Sequence, residues 1–169
     1  MLTFQPDDLF DLHWLSECDI APDGVRIAVT VTRLDREADV YRSAIWVVDA
    51  QSGKAQQFTA GAGRDFSPHW SPDGATLAFL SERPGEQQRP QLAVISATGG
   101  ESRVVTTLGY GAGQPAWAPD SQRMVFSAKP GTPPDPKSTA ARPYRRSALR
   151  ARRRIIRLLA LTVARPTAA

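Results

Sequence analysis

A turn motif that recurs at nearly regular spacing constrains the fold of this chain more than any other feature. The aligned copies are Ile20-Ala21-Pro22-Asp23-Gly24, Trp70-Ser71-Pro72-Asp73-Gly74 and Trp117-Ala118-Pro119-Asp120-Ser121. Pro22 and Pro72 are 50 residues apart, and Pro72 and Pro119 are 47 apart. In this motif proline fixes φ at about −65°, aspartate accepts hydrogen bonds from the backbone ahead of it, and glycine accepts positive φ. Each copy therefore predicts a tight turn between two strands.

The segments around these turns repeat as well. Residues 25–29, 76–80 and 123–127 follow the three turns and show the alternation of half-buried strands. Further along, Ile45-Trp46-Val47-Val48-Asp49 matches Leu92-Ala93-Val94-Ile95-Ser96, and Gln57-Phe58-Thr59 matches Val104-Val105-Thr106. The repeat unit is therefore four antiparallel strands in about 40 to 50 residues, which is typical of a propeller blade.

The repeats predict an all-β fold, an incomplete β-propeller. Two four-stranded antiparallel blades are expected at about residues 17–60 and 67–107, and half of a third blade at about 114–128. A β-sandwich with coincidentally spaced turns is the alternative, but sandwiches, although they show regular turn spacing, do not require a repeat at the level of individual residues. Propellers typically close with four to eight blades, so this chain cannot close a ring by itself.

The segment before the first repeat predicts a short helix within residues 6–17. Phe10 and Trp14 would lie along one face of it, and Asp7 or Asp8 would suit its first turn, where negative charge is favourable. Elsewhere Trp46, Trp70 and Trp117 fall at strand positions of the repeat. We expect these three to be packing residues within the blades.

Charge divides the chain of 169 residues into two parts. All 17 acidic residues and 12 basic ones lie in residues 1–137, which gives 12 − 17 = −5, whereas residues 138–169 hold nine arginines and no acid, which is +9. We interpret residues 1–137 as the partial propeller and 138–169 as an irregular or helical Arg-rich tail. Either the tail is a basic helix, or its sequence results from reading a GC-rich gene out of frame. Binding to nucleic acid or to an acidic membrane is expected only through this tail.

The basic helix of the first interpretation has defined members. Its arginines would be Arg145, Arg146, Arg150, Arg152, Arg153, Arg154 and Arg157, and its apolar residues Leu149, Ile156, Leu159 and Val163. These apolar residues form only an irregular stripe. The third blade's next two strands should lie where the tail begins, so the open edge is expected at residues 123–127. Its unpaired backbone groups predict self-association through that edge.

The residues that could carry chemistry are few. His13 and His69 are 56 residues apart and Cys18 is the single cysteine, so no metal-ligand spacing occurs and no metal or cofactor is expected. His69 is expected to pack or to lie at the surface, since Ser67 and Asp65 would imitate a catalytic arrangement around it only by accident. No catalytic residue is assigned.

Two further segments are interpreted as loops. Residues 109–113, Gly-Tyr-Gly-Ala-Gly, lack the spacing of a dinucleotide cradle and lead into a strand, which favours a loop between blades. The charged segment from Arg33 to Arg42 joins two strands of the first blade. A solvated loop is the simpler interpretation of this segment, and a surface for a partner domain is the alternative.

The run Pro68-His69-Trp70-Ser71-Pro72-Asp73-Gly74, continued by Leu77-Ala78-Phe79-Leu80-Ser81 and Arg83, resembles a known repeat. It is shared by the Tol-system periplasmic propeller protein and by the N-terminal propellers of prolyl oligopeptidase family serine peptidases. Phe4-Gln5-Pro6-Asp7-Asp8-Leu9 and residues 39–49 are similar to the opening of acylaminoacyl-peptidase-like and dipeptidyl-peptidase-like members. The resemblance covers residues 1 to about 137.

The resemblance implies a function for the parent protein. In such peptidases the propeller covers an α/β-hydrolase domain and restricts access to short or N-blocked peptides. That domain would be the partner, and the Gly-x-Ser-x-Gly pentapeptide of its nucleophile does not occur in this sequence. We therefore expect a non-catalytic propeller fragment, truncated before the hydrolase domain. The alternatives are a Tol-like or WD-like repeat scaffold and a basic-tailed binder of nucleic acid or membrane.

The sequence also bears on location. A single cysteine, Cys18, forms no disulfide within the chain, which makes a reducing compartment the simpler assumption. Residues 1–12 hold three aspartates and no basic residue ahead of an apolar stretch, unlike a secretory signal. A cytoplasmic location is expected.

Overall fold

A computed structural model of the protein describes residues 5–83, 89–129 and 157–163. A short 3₁₀ helix, Pro6–Asp11, precedes the strands. The strands are β1 (His13–Ile20), β2 (Arg26–Asp35), β3 (Val40–Asp49), β4 (Ala55–Gln57), β5 (Arg64–Trp70), β6 (Thr76–Glu82), β7 (Gln91–Ser96), β8 (Arg103–Val104), β9 (Ala112–Trp117), β10 (Arg123–Ala128) and β11 (Arg157–Thr162). The predicted all-β class is confirmed.

The strands form successive antiparallel blades. Blade one is β1 to β4 and blade two is β5 to β8, each with neighbouring strands paired in chain order. One parallel pairing, Ser43 with Arg64, joins the two blades. Blade three contains β9, β10 and β11 in the described part of the chain. The sheets are open rather than closed, as expected of an incomplete propeller.

Blade three differs from its prediction because β11 belongs to it. β11 pairs with β10 in an unbroken register from Arg123 with Thr162 to Ala128 with Arg157. The expected open edge at residues 123–127 is therefore wrong, since β10 is paired on both sides. For residues 157–162 an irregular or helical tail is also wrong. A strand pairs its backbone with β10 and at the same time lets Leu161 and Val163 pack against blade two.

The rest of the tail prediction concerns residues 138–156 and 164–169, which lie outside the described residues. This holds for the proposed basic helix as far as Ile156. Arg157, Leu159 and Val163 fall on β11 or directly after it. In this short segment Val163 is buried in the second core cluster and Leu161 packs against it.

The N-terminal helix is shorter than predicted. It ends at Asp11, with Asp7 and Asp8 in its first turn as expected, and Trp14 lies in β1. Phe10 and Trp14 therefore do not share a helix face. The Arg36 guanidinium lies 4.9 Å from the Phe10 ring, whereas Trp14 packs edge-on against Tyr41 at 5.9 Å. Backbone pairing with β2 along the length of β1 prevents a longer helix.

Blade two is buried on both faces. Leu77, Phe79, Ala93 and Ile95 belong to a core cluster shared with blade one. Ala78, Leu80, Leu92 and Val94 belong to a second cluster shared with blade three. Alternation along β6 and β7 thus sends successive side chains to opposite neighbours. We call these contacts the first junction, between blades one and two, and the second junction, between blades two and three.

The connections divide between two ends of the blades. The turn end holds residues 21–25, 50–54, 71–75, 97–102 and 118–122. The opposite end, which we call the loop end, holds the described residues 36–39, 58–63, 83, 89–90 and 105–111. Among the described residues, no helix has the length and apolar character needed to span a membrane.

Candidate functional site

The aspartate of the first repeated turn makes the contacts that its sequence predicts. Asp23 Oδ1 accepts hydrogen bonds from the backbone N–H groups of Val25 at 2.8 Å and Arg26 at 3.0 Å. The Arg26 Nε–H donates to Asp23 Oδ2 at 2.6 Å. These backbone donors, and then the guanidinium, lower the pKa of Asp23 to about 2. The carboxylate therefore stabilises the turn in its ionised form.

The other two turns use the same geometry with different side chains. Asp120 Oδ1 accepts from the N–H groups of Gln122 and Arg123, and Arg123 Nε–H donates to its other oxygen at 2.7 Å. The Gln122 N–H first, and then the Arg123 guanidinium, lower the pKa of Asp120. In the second turn the Ser71 hydroxyl donates to Asp73 Oδ1 at 2.6 Å.

Neighbouring turns also contact each other. The Arg26 Nη2–H donates to the Gly74 carbonyl at 3.0 Å, and its guanidinium lies 4.7 Å from the Trp70 ring. The Asp73 N–H donates to the Ser121 hydroxyl at 3.0 Å. At Gly74, where φ is +67°, an added Cβ would lie 3.2 Å from Arg26 Nη2. The turn end is therefore a connected row of three turns.

Two carboxylates join β1 and β5, the first strands of blades one and two, at the first junction; we call these first strands the inner strands. Glu17 lies at a bulge of β1, and its Oε2 accepts from the Thr30 hydroxyl at 3.2 Å and the Ser67 N–H at 3.1 Å. Asp19 Oδ2 accepts from the Trp70 N–H at 2.6 Å. Ser67 also lies where the register of its own strand shifts. Neither carboxylate was predicted from the sequence, because neither recurs in the repeat.

The second junction uses a different polar contact. The Trp117 Nε1–H donates to the His69 carbonyl at 3.0 Å. Trp70, which holds the equivalent repeat position, is buried with its Nε1 unpartnered. Trp70 and Trp117 pack in the junctions as predicted. Trp46 is half-buried and lines a cavity on blade one.

Ser67, His69 and Asp65 do not form a catalytic arrangement. Asp65 Oδ1 accepts from the Ser81 hydroxyl at 2.6 Å. Ser67 Oγ and His69 Nε2 are both buried and have no hydrogen-bond partner, so no hydrogen bond joins them. A nucleophile would require a base within hydrogen-bonding reach. These residues belong to the packed inner strand of blade two.

His13 lies at the opposite end of blade one from the turns, at the start of β1. Its Nδ1 is 3.1 Å from the Asp11 carbonyl oxygen. It lines a cavity of about 130 Å³ together with Arg33, Arg42 and Trp46. In the described part of the chain, no group of three or more His, Cys, Asp or Glu side chains is placed to hold a metal ion.

The charged segment from Arg33 to Arg42 is mostly strand, since only residues 36–39 connect β2 to β3. Arg42 Nε–H donates to Asp35 Oδ2 at 2.5 Å, and Arg36 Nη2–H donates to Asp7 Oδ1 at 3.0 Å. The Arg42 guanidinium, and then the backbone, lower the pKa of Asp35. These contacts pair several charges of the segment within blade one.

A basic groove of about 500 Å³ lies at the loop end of blade three. Its lining includes Arg89, Tyr110, Gly113, Ser127 and Lys129. The Lys129 Nζ lies 4.1 Å from the Tyr110 ring. The glycine-rich segment is a loop between blades two and three, as expected, and it enters β9 at Ala112. Two cationic and two hydroxyl side chains in one groove can bind an anionic group.

The blade architecture and the repeated Asx turns define a β-propeller repeat protein. Residues 17–135 match the PD40 family, described as the TolB beta propeller domain. The chain belongs to this family.

The relatives are named as peptidases. The chain is 37% identical over 125 residues to the uncharacterized peptidase YuxL of Bacillus subtilis, covering 74% of this chain and 19% of that protein. It is 33% identical over 119 residues to dipeptidyl-peptidase 5 of Porphyromonas gingivalis, covering 64% and 17%. The chain thus spans about a fifth of the length of these relatives.

A solved structure shares the fold. The acylaminoacyl peptidase of Pyrococcus horikoshii is similar with a TM-score of 0.58 and 20% sequence identity, and the match covers 70% of this chain and 18% of that one. The expected resemblance to propeller regions of peptidases is therefore confirmed.

Proposed function

We propose that this chain is part of the propeller of a prolyl oligopeptidase family serine peptidase. In the complete protein the propeller would restrict access to an α/β-hydrolase active site, so that only short or N-blocked peptides reach it. The observation that carries the proposal is the propeller match at 37% identity to a protein named as a peptidase, of which the chain covers 19%.

The packing of the blades supports a restricting role. Phe79, Leu77 and Leu92 are fully buried, and both faces of blade two are covered by neighbouring blades. Close-packed interiors resist deformation, so such a wall excludes large substrates better than a flexible loop would. The chain itself lacks the Gly-x-Ser-x-Gly nucleophile motif.

A chimera tests the restriction. Residues 13–128 replace the matching segment of dipeptidyl-peptidase 5 from Porphyromonas gingivalis, and dipeptide release is measured. One substrate is a short peptide, and the other carries the same N-terminal sequence on a folded protein. We expect the chimera to cleave the short peptide and to leave the folded substrate intact.

The chimera needs two controls. The unmodified host gives the reference ratio between the two substrates, and the circular dichroism melt of the chimera verifies folding. Equal cleavage of both substrates by a folded chimera would contradict the proposal. The isolated chain is expected to hydrolyse no dipeptide or acyl-amino-acid substrate above buffer. Turnover abolished by a serine-directed inhibitor would contradict that expectation.

A Tol-like or WD-like scaffold is the second candidate, and the basic groove favours it. Arg89 and Lys129 could bind an acidic segment of a partner protein. Charge reversal, Arg89→Glu with Lys129→Glu, would then abolish partner binding in a pull-down and leave the chimera's substrate ratio unchanged. We also propose a cytoplasmic location, since the exposed free thiol of Cys18 suits a reducing compartment.

A further inference from the structure

The two cations of the basic groove, Arg89 and Lys129, have no acidic partner among the described residues. The ion pairs in this part of the chain join other arginines to aspartate or glutamate. Both groove cations are exposed, and the Lys129 Nζ contacts the Tyr110 ring at 4.1 Å. The positive charge of the groove is therefore available to an anion from outside these residues.

A buried glutamine holds one wall of the groove in place. Gln91 is 3% exposed, and its Nε2–H donates to the Leu108 carbonyl at 2.8 Å. Its Oε1 accepts from the Leu108 N–H and from the Thr106 hydroxyl, each at 2.9 Å. A hydrogen-bonded polar network in a low-dielectric interior rigidifies its surroundings. The segment that leads to Tyr110 is therefore fixed to the start of β7.

A close backbone contact positions Arg89 against this wall. The Ala112 N–H donates to the Pro90 carbonyl at 2.7 Å. At Gly111, where φ is +81°, an added Cβ would lie 2.8 Å from the same carbonyl oxygen, so glycine is required there. Because Pro90 directly follows Arg89, the backbone of this arginine is held where β9 begins. These contacts bring Arg89 to the groove without the help of a ligand.

The other polar groups of the groove are hydroxyls. An added Cβ on Gly113 would overlap Ser127 Oγ, so this hydroxyl fills the space beside the glycine. Tyr110 supplies the second hydroxyl, and no acidic side chain lines the groove in the described part of the chain. All four side chains can donate hydrogen bonds, whereas a carboxylate only accepts them. The guanidinium fork of Arg89 can bind both carboxylate oxygens at once, so the lining is complementary to a carboxylate.

The groove lies at the end of the blades where a further domain would connect. β1 and β5 begin at the loop end, and β4 and β8 lead back to it, because blades one and two each have an even number of strands. A domain that precedes or follows such blades in the sequence is therefore joined at the loop end. In the proposed peptidase the groove would lie on the side of the hydrolase domain and its substrate.

Size and charge favour a short peptide over an acidic segment of a partner protein. The groove volume of about 500 Å³ lies within the range of small-ligand sites. Residues 1–137 carry a formal charge of 12 − 17 = −5, which repels a segment with many negative charges more than it repels a single carboxylate. We propose that the basic groove binds a carboxylate of the peptide substrate, either its C-terminal group or an acidic side chain. This inference rests on the proposed function and names its substrate class, which is short anionic peptides.

Amide chemical shifts of the isotope-labelled full chain test the site directly. Three N-acetylated alanine-based tetrapeptides are titrated: one with a free C-terminal carboxylate, one amidated, and one amidated with a glutamate side chain. The free acid, the glutamate peptide or both should shift the signals of Gly111, Gly113 and Ser127, and comparing these two shows which carboxylate is bound. The neutral peptide should leave these signals unchanged. Shifts confined to residues 138–169 would place binding on the arginines of the tail and contradict the proposal.

Substitutions separate the contributions of the two cations. Arg89→Gln should weaken carboxylate binding by roughly 10-fold or more, as expected for hydrogen bonds to a charged group, and Arg89→Lys should restore only part of it because the fork is lost. Lys129→Gln should weaken binding by roughly 2- to 5-fold, as expected for an exposed ion pair. Lys54→Gln is the matched control, since Lys54 is an exposed lysine at the turn end, and it should bind as the unmodified chain does. Dispersed amide signals verify that each variant is folded.

The chimera gives a second readout that does not depend on the isolated chain, because Arg89 lies within the exchanged segment. Arg89→Gln in the chimera should raise KM for the acid form of a short peptide and leave KM for its amidated form unchanged. Equal binding of acid and neutral peptides, or carboxylate binding that Arg89→Gln does not weaken, would overturn the proposal. Binding that requires a long acidic segment would also overturn it, and would assign the groove to a partner protein.

The groove site and the restricting role can fail separately. No carboxylate effect on the amide signals or on KM, with a chimera that still leaves the folded substrate intact, would refute the groove site alone. Carboxylate binding in the groove, with a chimera that cleaves both substrates equally, would support the site and refute the restricting role.

Discussion

The first and second junctions pack the same repeat positions but use different polar contacts. Leu77 and Phe79 fill the first junction, and Met124 and Phe126 occupy the equivalent positions in the second. At the first junction, carboxylates of β1 accept hydrogen bonds from the backbone of β5. At the second junction, a tryptophan side chain donates to a backbone carbonyl of β5.

This comparison shows that the shared apolar residues build a blade junction, whereas the polar contacts adjust its strength. Apolar residues recur at both junctions, so they define the geometry. The residues equivalent to Glu17 and Asp19 are Ser67 and His69, which carry no carboxylate. β1 is an inner strand whose side chains are mostly exposed, and hydrogen bonds to charged groups contribute more than neutral ones. The carboxylates therefore reinforce the first junction, to which β1 contributes side chains that are less buried than those of β5.

The largest effect is expected from truncating the shared apolar position. Phe79→Ala should lower the free energy of unfolding by about 3–5 kcal/mol, the range for buried phenylalanine. Phe126→Ala should cost less, because blade three is packed on one face only in the described part of the chain and can relax into the space. Urea unfolding measures both. Equal losses would show that the second junction is as constrained as the first.

A smaller effect distinguishes the polar contacts. Asp19→Ala removes the acceptor of the Trp70 N–H and should cost about 1.5–3 kcal/mol, the range for hydrogen bonds to charged groups. His69→Ala is the matched control at the equivalent repeat position. It leaves the carbonyl that accepts from Trp117 in place, so it should cost less than Asp19→Ala. The reverse order in urea unfolding would remove the basis of the comparison.

The indole nitrogens provide a third contrast. Trp117→Phe removes a donor that is hydrogen bonded to His69, at a net loss of about 0.5–1.5 kcal/mol beyond the loss of ring volume. Trp70→Phe removes a buried donor that has no partner, so no hydrogen bond is lost; the loss is ring volume and part of the contact with the Arg26 guanidinium. Trp117→Phe should therefore cost more in thermal unfolding. A greater loss for Trp70→Phe would mean that its N–H group is satisfied in solution.

The repeat predicted the parts of the molecule that depend on local chemistry. The strands of blades one and two follow from alternation, and the contacts of Asp23 and Asp120 follow from their position in the turn. The contacts of Glu17 and Asp19 did not follow, because both depend on how two strands distant in sequence are placed. The shift in register beside Glu17 has no clear signature in the residues themselves.

β11 was missed for a different reason. The connection from β10 to β11 covers residues 129–156, far longer than the four residues that join the equivalent strands of blade one. Pairing across so long a connection cannot be derived from turn residues. The arginines before the strand also dominated the composition, whereas Leu161 and Val163 make the contacts that place the segment.

The smallest expected effect concerns acid. The pKa of Asp23 is lowered from 3.8 to about 2, and that of Asp120 is lowered as well, so both turns gain stability from the ionised carboxylate. A lowered folded-state pKa gives stability that is present above the unfolded value and is lost as pH falls toward the folded value. The urea midpoint should therefore decrease between about pH 4 and pH 2.

Asp23→Asn keeps an acceptor oxygen but cannot ionise, so its midpoint should decrease less over the same interval. Arg26 links its turn to Gly74 of the next blade, whereas the hydrogen bond of the Arg123 side chain stays within its own turn, to Asp120. Asp120→Asn should therefore change the pH dependence less than Asp23→Asn. Equal slopes for the unmodified chain and both variants would show that the turns contribute no acid-sensitive stability.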